Sequence, residues 1–146
     1  MEAADLELRN LTYHLFVELG RAPTVEEVAA RSGATSEAVR SGWSRLHEAH
    51  ALVLAPTGEL RMANPFSAVP TAHRVRIADR SWYANCAWDA FGVCASLHAD
   101  GTIETSCPDC GEPIVVEVRD GKPDDETLVF HSVVPATQWW DDIVFT

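Results

Sequence analysis

The chain has 146 residues, a length that suits one ordinary domain or two very small ones. Its formal net charge of −11 disfavours nonspecific binding to nucleic acid or to an anionic membrane, because such binding depends on cationic side chains. No apolar run approaches the roughly 20 residues of a membrane-spanning helix, and the acidic first ten residues do not resemble a secretion signal. We therefore expect a globular, cytoplasmic protein with no membrane partner.

Residues 1–65 predict a helical module. Periodic apolar residues and turn signals predict three helices and a hairpin, over residues 5–19, 25–31, 37–50 and 52–62. Thr24 and Glu27 have the spacing of a capping box at the start of the second helix. This order of elements is that of a winged helix-turn-helix.

The third predicted helix is the one that would contact DNA bases in such a module. It offers Arg40 and Arg45, which are offset by Glu37 and Glu48. The charge of this helix therefore disfavours DNA binding, and a packing or scaffold role fits the module better.

Residues 66–146 predict a second unit of a different kind. The stretch 63–72 contains two prolines and resembles a linker. Alternating and β-branched segments predict strands, and one aromatic, alanine-rich segment predicts an inserted helix; the strands cover 74–78, 102–106, 114–118 and 128–134, the helix covers 82–97, and a further element begins at 139. The expected fold class is α+β: a winged-helix-like module (1–65) followed by a small mixed β-sheet domain with an inserted helix (66–146).

Cys86 and Asp89 form the most informative pair. If a helix begins near Asn85, the two side chains share a face and Cys86 lies in the first turn. The positive end of a helix stabilises a thiolate there, and a neighbouring carboxylate can hold or deliver a proton. The alternative is that Cys86 is a small buried apolar residue and Asp89 lies on the helix surface.

Cys107, Cys110 and the following Gly111 have the spacing of a zinc knuckle. A structural zinc ion needs four ligands, and the sequence offers four candidates for the other two: Cys86, Cys94, His98 and His131. The alternative is a tight turn whose cysteines pack or act as an auxiliary thiol pair. With no secretion signal, all four cysteines are expected to be reduced thiols.

Three motifs stand out together, at residues 71–75, 82–89 and 107–113. In combination they resemble the alkylmercury lyase (organomercurial lyase) family. The resemblance implies cleavage of a carbon–mercury bond by protonolysis, without a required cofactor. Cys86 then matches the first mercury-binding cysteine and Asp89 the aspartate that handles the proton. Hg(II) would remain as bound product until a small thiol or a mercury-handling protein accepts it.

The family has a second catalytic cysteine near its C-terminus, after a phenylalanine, whereas residues 139–146 contain no cysteine. The resemblance therefore implies that the C-terminal part of the domain is missing and that activity is impaired. Cys94 lies about two helical turns from Cys86, too far to share a mercury ion, and Cys107 and Cys110 could replace the thiol only if their turn folds over the helix. The alternative functions are a thiol-based metal-binding or metal-sensing module without catalysis, and a structural remnant with a zinc knuckle.

Overall fold

The computed structural model describes residues 2–132 and 134–144. The helices are α1 (Ala3–Leu19), α2 (Val25–Ser32), α3 (Ser36–Glu48), α4 (Ala87–Leu97) and a C-terminal 3-10 helix (Ala136–Asp141). The strands are β1 (Val53–Leu54), β2 (Leu60–Ala63), β3 (Phe66–Ser67), β4 (Arg74–Ile77), β5 (Arg80–Ala84), β6 (Gly101–Ser106), β7 (Pro113–Arg119) and β8 (Lys122–Pro123). None of the helices in these ranges is long and apolar enough to cross a membrane.

The helical module has the predicted order of elements. The capping box at α2 is present: Thr24 Oγ1 accepts from the Glu27 amide at 3.2 Å, and Glu27 Oε2 accepts from the Thr24 amide at 2.8 Å. Within the core, Trp43 Nε1 donates to Thr12 Oγ1 at 3.0 Å, which joins α3 to α1. The hairpin of β1 and β2 follows, as the sequence predicts.

The strands form one sheet in the order β1-β2-β3-β5-β4-β6-β7-β8. The α+β class with an inserted helix is confirmed. All pairings among the described strands are antiparallel, whereas the sequence suggested a mixed sheet. Because β2 pairs with β3, the sheet continues across the expected boundary at residue 65. The division into two domains stays a prediction.

One face of the sheet is buried and carries α4. Val75, Trp82, Ile103 and Val116 lie side by side on this face, and each is nearly inaccessible to solvent. The helix contacts β4, β5 and β6, so it is fixed to the centre of the sheet. This packing fixes the position of the first turn of α4 relative to the sheet.

Two predicted elements are wrong in part. Residues 82–84 belong to β5 and not to the inserted helix, because Trp82 and Ala84 alternate into the core with the period of a strand. The predicted strand 128–134 does not form at its described positions. A β-branched segment needs a neighbouring strand for its backbone hydrogen bonds, and Val129 is 88% exposed instead. Val133, Phe145 and Thr146 lie outside the described residues.

Candidate active site

The three sequence motifs meet at one edge of the sheet. The pairs Arg74↔Tyr83, Arg74↔Glu104 and Ser106↔Pro113 place the end of β5, the start of β4, the end of β6 and the start of β7 together. Residues 71–75, 82–89 and 107–113 therefore share this edge, which we call the motif edge. Strands distant in sequence bring the candidate residues into one region.

Cys86 lies at the motif edge, directly before α4. It is the N-cap residue, with extended backbone, and its carbonyl accepts from the Ala90 amide at 3.0 Å. The thiol is half-buried, and burial raises the pKa of Cys86 above its usual range. The backbone amides of Asp89 and Trp88 offset this rise in part, while the negative charge of Asp89 adds to it.

The expected low pKa of the Cys86 thiol is therefore wrong. The helix begins at Ala87 and not near Asn85, and its amides lower the thiol pKa by less than burial raises it. The juxtaposition with Asp89 holds, because the charge of Asp89 acts on the Cys86 thiol. The two groups form a thiol–carboxylate pair in which burial raises the pKa of both partners.

Asp89 occupies the first turn of α4 and is half-buried. Burial raises the pKa of the Asp89 carboxyl, and a hydrogen bond from Asn85 opposes the rise in part. Asn85 Nδ2 donates to Asp89 Oδ2 at 2.9 Å. A carboxylate whose pKa is raised accepts a proton more readily than an exposed aspartate does.

Asn85 is a site residue for which the sequence predicted no role. Its Nδ2 also lies within 3.1 Å of Asn64 Oδ1 and within 3.3 Å of the Pro65 carbonyl oxygen. These contacts attach the start of α4 to the turn between β2 and β3. Asn85 Oδ1 is buried without a hydrogen-bond partner among the described residues. The sequence feature that could have indicated this contact is the position of Asn85, four residues before Asp89.

Tyr13 approaches the same region from α1. Its hydroxyl donates to the Asn64 carbonyl oxygen at 3.0 Å. Burial raises the pKa of Tyr13, and the negative charge of Asp89 adds to the rise. The helical module therefore contributes a side chain close to Asp89, a contact that the sequence did not predict.

Cys107 and Cys110 form a closed turn at the motif edge. The Gly111 amide donates to the Cys107 carbonyl oxygen at 2.8 Å, and the Cys107 amide donates to the Glu112 carbonyl oxygen at 2.9 Å. Cys107 is half-buried and Cys110 is exposed. The backbone amides of Cys110 and Asp109, together with the Cys110 thiol, lower the pKa of the Cys107 thiol.

The donor set for a four-ligand zinc site is not assembled. In residues 2–132 and 134–144, no three side chains of His, Cys, Asp or Glu lie close enough to hold a metal ion together. Cys94 is buried in the core, where the Cβ of a residue at Gly101 would lie 3.0 Å from its sulfur. The zinc prediction for Cys107 and Cys110 therefore has no support, and the pair remains a pair of thiols.

The fold and the motif edge together define an α+β protein with a thiol–carboxylate site and a second thiol pair. The family model described as alkylmercury lyase (MerB) matches residues 66–146, more than half of the chain. The chain belongs to the alkylmercury lyase family.

A solved structure described as the mercury-bound form of MerB2 is similar to this chain, with 26% sequence identity and a TM-score of 0.64. The match covers 82% of this chain and 59% of that one, so the chain spans about three fifths of the length of that relative. A comparison with curated proteins gives no match.

Proposed function

We propose that this protein cleaves the carbon–mercury bond of organomercurials by protonolysis, with Cys86 binding the mercury and Asp89 handling the proton. One observation carries the proposal: the Cys86 thiol and the Asp89 carboxyl lie together at the start of α4, close enough for the carboxylate charge to act on the thiol. Membership of the alkylmercury lyase family supports the reaction class.

The first step binds the substrate. Mercury is a soft ion and prefers thiolate sulfur to oxygen or nitrogen ligands. The Cys86 sulfur forms a bond to mercury and displaces the ligand opposite the carbon. The Cys86 proton passes to the Asp89 carboxylate. The raised pKa of Asp89 supports this role, because it makes the carboxylate a stronger base for the thiol proton.

The second step breaks the carbon–mercury bond. A thiolate from a small thiol binds the mercury and adds electron density to it. Asp89 then gives its proton to the carbon, the electron pair of the mercury–carbon bond forms the new carbon–hydrogen bond, and the hydrocarbon leaves. Hg(II) remains on Cys86 and the small thiolate with its oxidation state unchanged. Asp89 is a carboxylate again, and the step requires no cofactor.

The surface beside Cys86 suits a substrate with an organic group. Trp88 follows Cys86 by two residues and is 58% exposed. Its ring lies 5.7 Å, centroid to centroid, from the ring of Phe130. The two rings offer an apolar surface for the organic group of the mercurial. The free thiols also suit a reducing compartment, so we place the reaction in the cytoplasm with small thiols or a mercury-handling protein as acceptors of Hg(II).

A second candidate function is metal binding without catalysis. The Cys107–Cys110 thiol pair favours it, since two thiols suffice to bind a soft ion. The sensing version has less support, because Arg40 on α3 forms ion pairs with Glu26 and Glu59 and is not free for DNA.

Hydrocarbon release distinguishes these functions. Purified protein is mixed with phenylmercuric acetate and excess small thiol, and benzene is measured in the headspace. We expect benzene from the wild-type chain, background levels from Cys86→Ser, and wild-type levels from the control Cys94→Ala, which removes a buried thiol elsewhere on α4. Equal benzene release from Cys86→Ser would contradict the assigned role. Bound mercury without benzene in the wild type would favour the second candidate.

A further inference from the structure

The sheet register brings Cys86 and Cys107 to the motif edge, each two residues beyond the same row of the sheet. The Ala84 amide donates to the His73 carbonyl oxygen at 2.9 Å, and Thr105 Oγ1 lies 2.8 Å from His73 Nδ1. Ala84, His73 and Thr105 therefore form one row across β5, β4 and β6. Strand β5 ends at Ala84 and β6 ends at Ser106, so Cys86 and Cys107 each follow this row by two residues, just beyond the ends of their strands.

The lateral separation of the two cysteines follows from the strand order. Strand β4 is the single strand between β5 and β6. Neighbouring strands are about 4.8 Å apart, so the ends of β5 and β6, which lead to Cys86 and Cys107, are about 10 Å apart. Cys107 is half-buried and Cys110 is exposed, so one thiol of the pair is partly shielded by the protein and the other contacts solvent.

The donor set at the Cys107–Cys110 turn suits a two-coordinate soft ion. Structural zinc takes four ligands, and among the described residues no three His, Cys, Asp or Glu side chains, Asp109 and Glu112 of this turn included, lie close enough to hold a metal ion together. Hg(II) is satisfied by two thiolates, which are the ligands a soft ion prefers. The closed turn holds both sulfurs in one place, because two backbone hydrogen bonds fix its ends.

We propose that Cys107 and Cys110 form an acceptor site that takes Hg(II) from Cys86 after the carbon–mercury bond is cleaved; this inference rests on the proposed function. The Cys107 thiolate forms a bond to mercury and the small thiolate leaves. The Cys110 sulfur then displaces Cys86, and the proton of the Cys110 thiol passes to the Cys86 sulfur. Mercury ends between Cys107 and Cys110, its oxidation state is unchanged, and Cys86 is ready for another substrate.

Competition with a small thiol tests the pair directly. Each variant is loaded with one equivalent of mercuric chloride and exposed to increasing monothiol, and the retained mercury is measured after desalting. Cys86→Ser isolates the pair from the catalytic thiol. We expect Cys86→Ser to retain mercury, and we expect the monothiol concentration that removes half of it to fall by about 100-fold or more when Cys110→Ser is added, because chelation is lost.

The matched control adds Asp109→Asn to Cys86→Ser, which alters the same turn and keeps both thiols. It should retain mercury like Cys86→Ser alone. Cys110 is exposed, so its replacement by serine leaves the core intact. Equal loss of mercury from Cys86→Ser with and without Cys110→Ser would overturn the proposed acceptor site.

A single turnover separates this inference from the proposed function. Wild-type protein is mixed with one equivalent of phenylmercuric acetate and one equivalent of small thiol; after benzene release, the free thiols are alkylated and identified by mass spectrometry. In the wild type, we expect Cys86 to be alkylated and Cys107 and Cys110 to be protected by mercury. In Cys110→Ser, we expect Cys86 to keep the mercury and to be protected from alkylation. Benzene release with Cys86 still blocked in the wild type would overturn the acceptor site alone. Absence of benzene would overturn the proposed function.

Discussion

Burial governs the chemistry of the residues at the start of α4. Asp89 and Cys86 are both half-buried, and burial raises the pKa of each. From their three-residue spacing the sequence predicted that the two residues lie close together, as they do, while their roles in catalysis stay predictions. It predicted the wrong direction for the Cys86 pKa, because the effect of a helix start can be read from sequence whereas the burial of a particular sulfur depends on the sheet packed around it. The role of Asn85 depends on its contact with Asn64, 21 residues away, which no local pattern predicts.

The raised pKa of Asp89 makes the stability of the fold depend on pH. The folded state binds this proton more tightly than the unfolded state, whose pKa is near 3.8, so the free energy of unfolding falls as the pH rises from there through the folded pKa. The Asp89→Asn variant lacks the ionisable carboxyl, so this decrease in the free energy of unfolding does not occur. We expect the variant to be more stable than wild type at neutral pH and equal to it below the unfolded pKa, as measured by urea unfolding at several pH values. Asp109→Asn, at an exposed carboxylate, serves as control, and a stability difference for Asp89→Asn that does not change with pH would contradict the account.

The thiols should react in a defined order. Interactions with the Cys110 and Asp109 amides lower the pKa of Cys107, whereas burial raises that of Cys86. Alkylation proceeds through the thiolate, so Cys107 should react with iodoacetamide at lower pH than Cys86 does. Pulsed alkylation over a pH series, read by mass spectrometry, measures this order, and denatured protein should show no difference. Earlier reaction of Cys86 in the folded chain would show that the assigned pKa directions are wrong.

At the scale of elements, α4 and β4 both pack closely around Gly101 at the start of β6, where an added Cβ would lie 3.0 Å from the Cys94 sulfur of α4. A Cβ at Gly101 would lie 2.8 Å from Ile77 Cγ1 and 2.9 Å from the Arg76 carbonyl oxygen. The carbonyl cannot move without disturbing the pairing of β4 and β6. Gly101→Ala should therefore destabilise the fold by about 1–3 kcal/mol, the usual cost of overpacking.

Chemical denaturation measures this cost. Ser96→Ala, on the exposed side of α4, is the matched control and should change the free energy of unfolding by less than about 0.5 kcal/mol. Wild-type stability of Gly101→Ala would contradict the packing of α4 described here.

Element prediction from sequence succeeded where one period dominated. The 3.6-residue period predicted α1 to α3, and β-branched alternation predicted β4, β6 and β7. The predicted helix over 82–97 was wrong at its start. Aromatic and alanine residues occur in both strands and helices, and pairing with β4 makes residues 82–84 part of a strand. The segment 128–134 has the composition of a strand, yet at its described positions it pairs with no other strand.

At the scale of the whole molecule, the continuous sheet joins parts that the sequence presents as separate. The pairing of β2 with β3 and the contact of Tyr13 with Asn64 connect the helical module to the site. Such connections depend on register between distant segments, which local patterns do not contain. The α+β class was predictable, and the meeting of the three motifs at one edge was not.

The charge distribution of the whole molecule argues against a DNA partner. The net charge is −11, and the two arginines of α3 are engaged within the protein, since Arg45 pairs with Asp5 at 2.7 Å and Arg40 pairs with Glu59 at 3.1 Å. We expect no binding to duplex DNA in a gel-shift experiment at low salt, with or without Hg(II), because binding requires free cations against the phosphates. A metal-dependent shift would support the sensing function instead.

The most direct test of the account is the source of the hydrogen in the released hydrocarbon. Protein holding one equivalent of phenylmercury is placed in D2O with small thiol, and benzene is followed by gas chromatography and mass spectrometry. We expect benzene carrying one deuterium from the wild type, and a rate lower by about 10²- to 10⁴-fold in Asp89→Asn, the usual contribution of a general acid. Release from Asp89→Asn at the wild-type rate would contradict the assignment of Asp89 as the residue that delivers the proton.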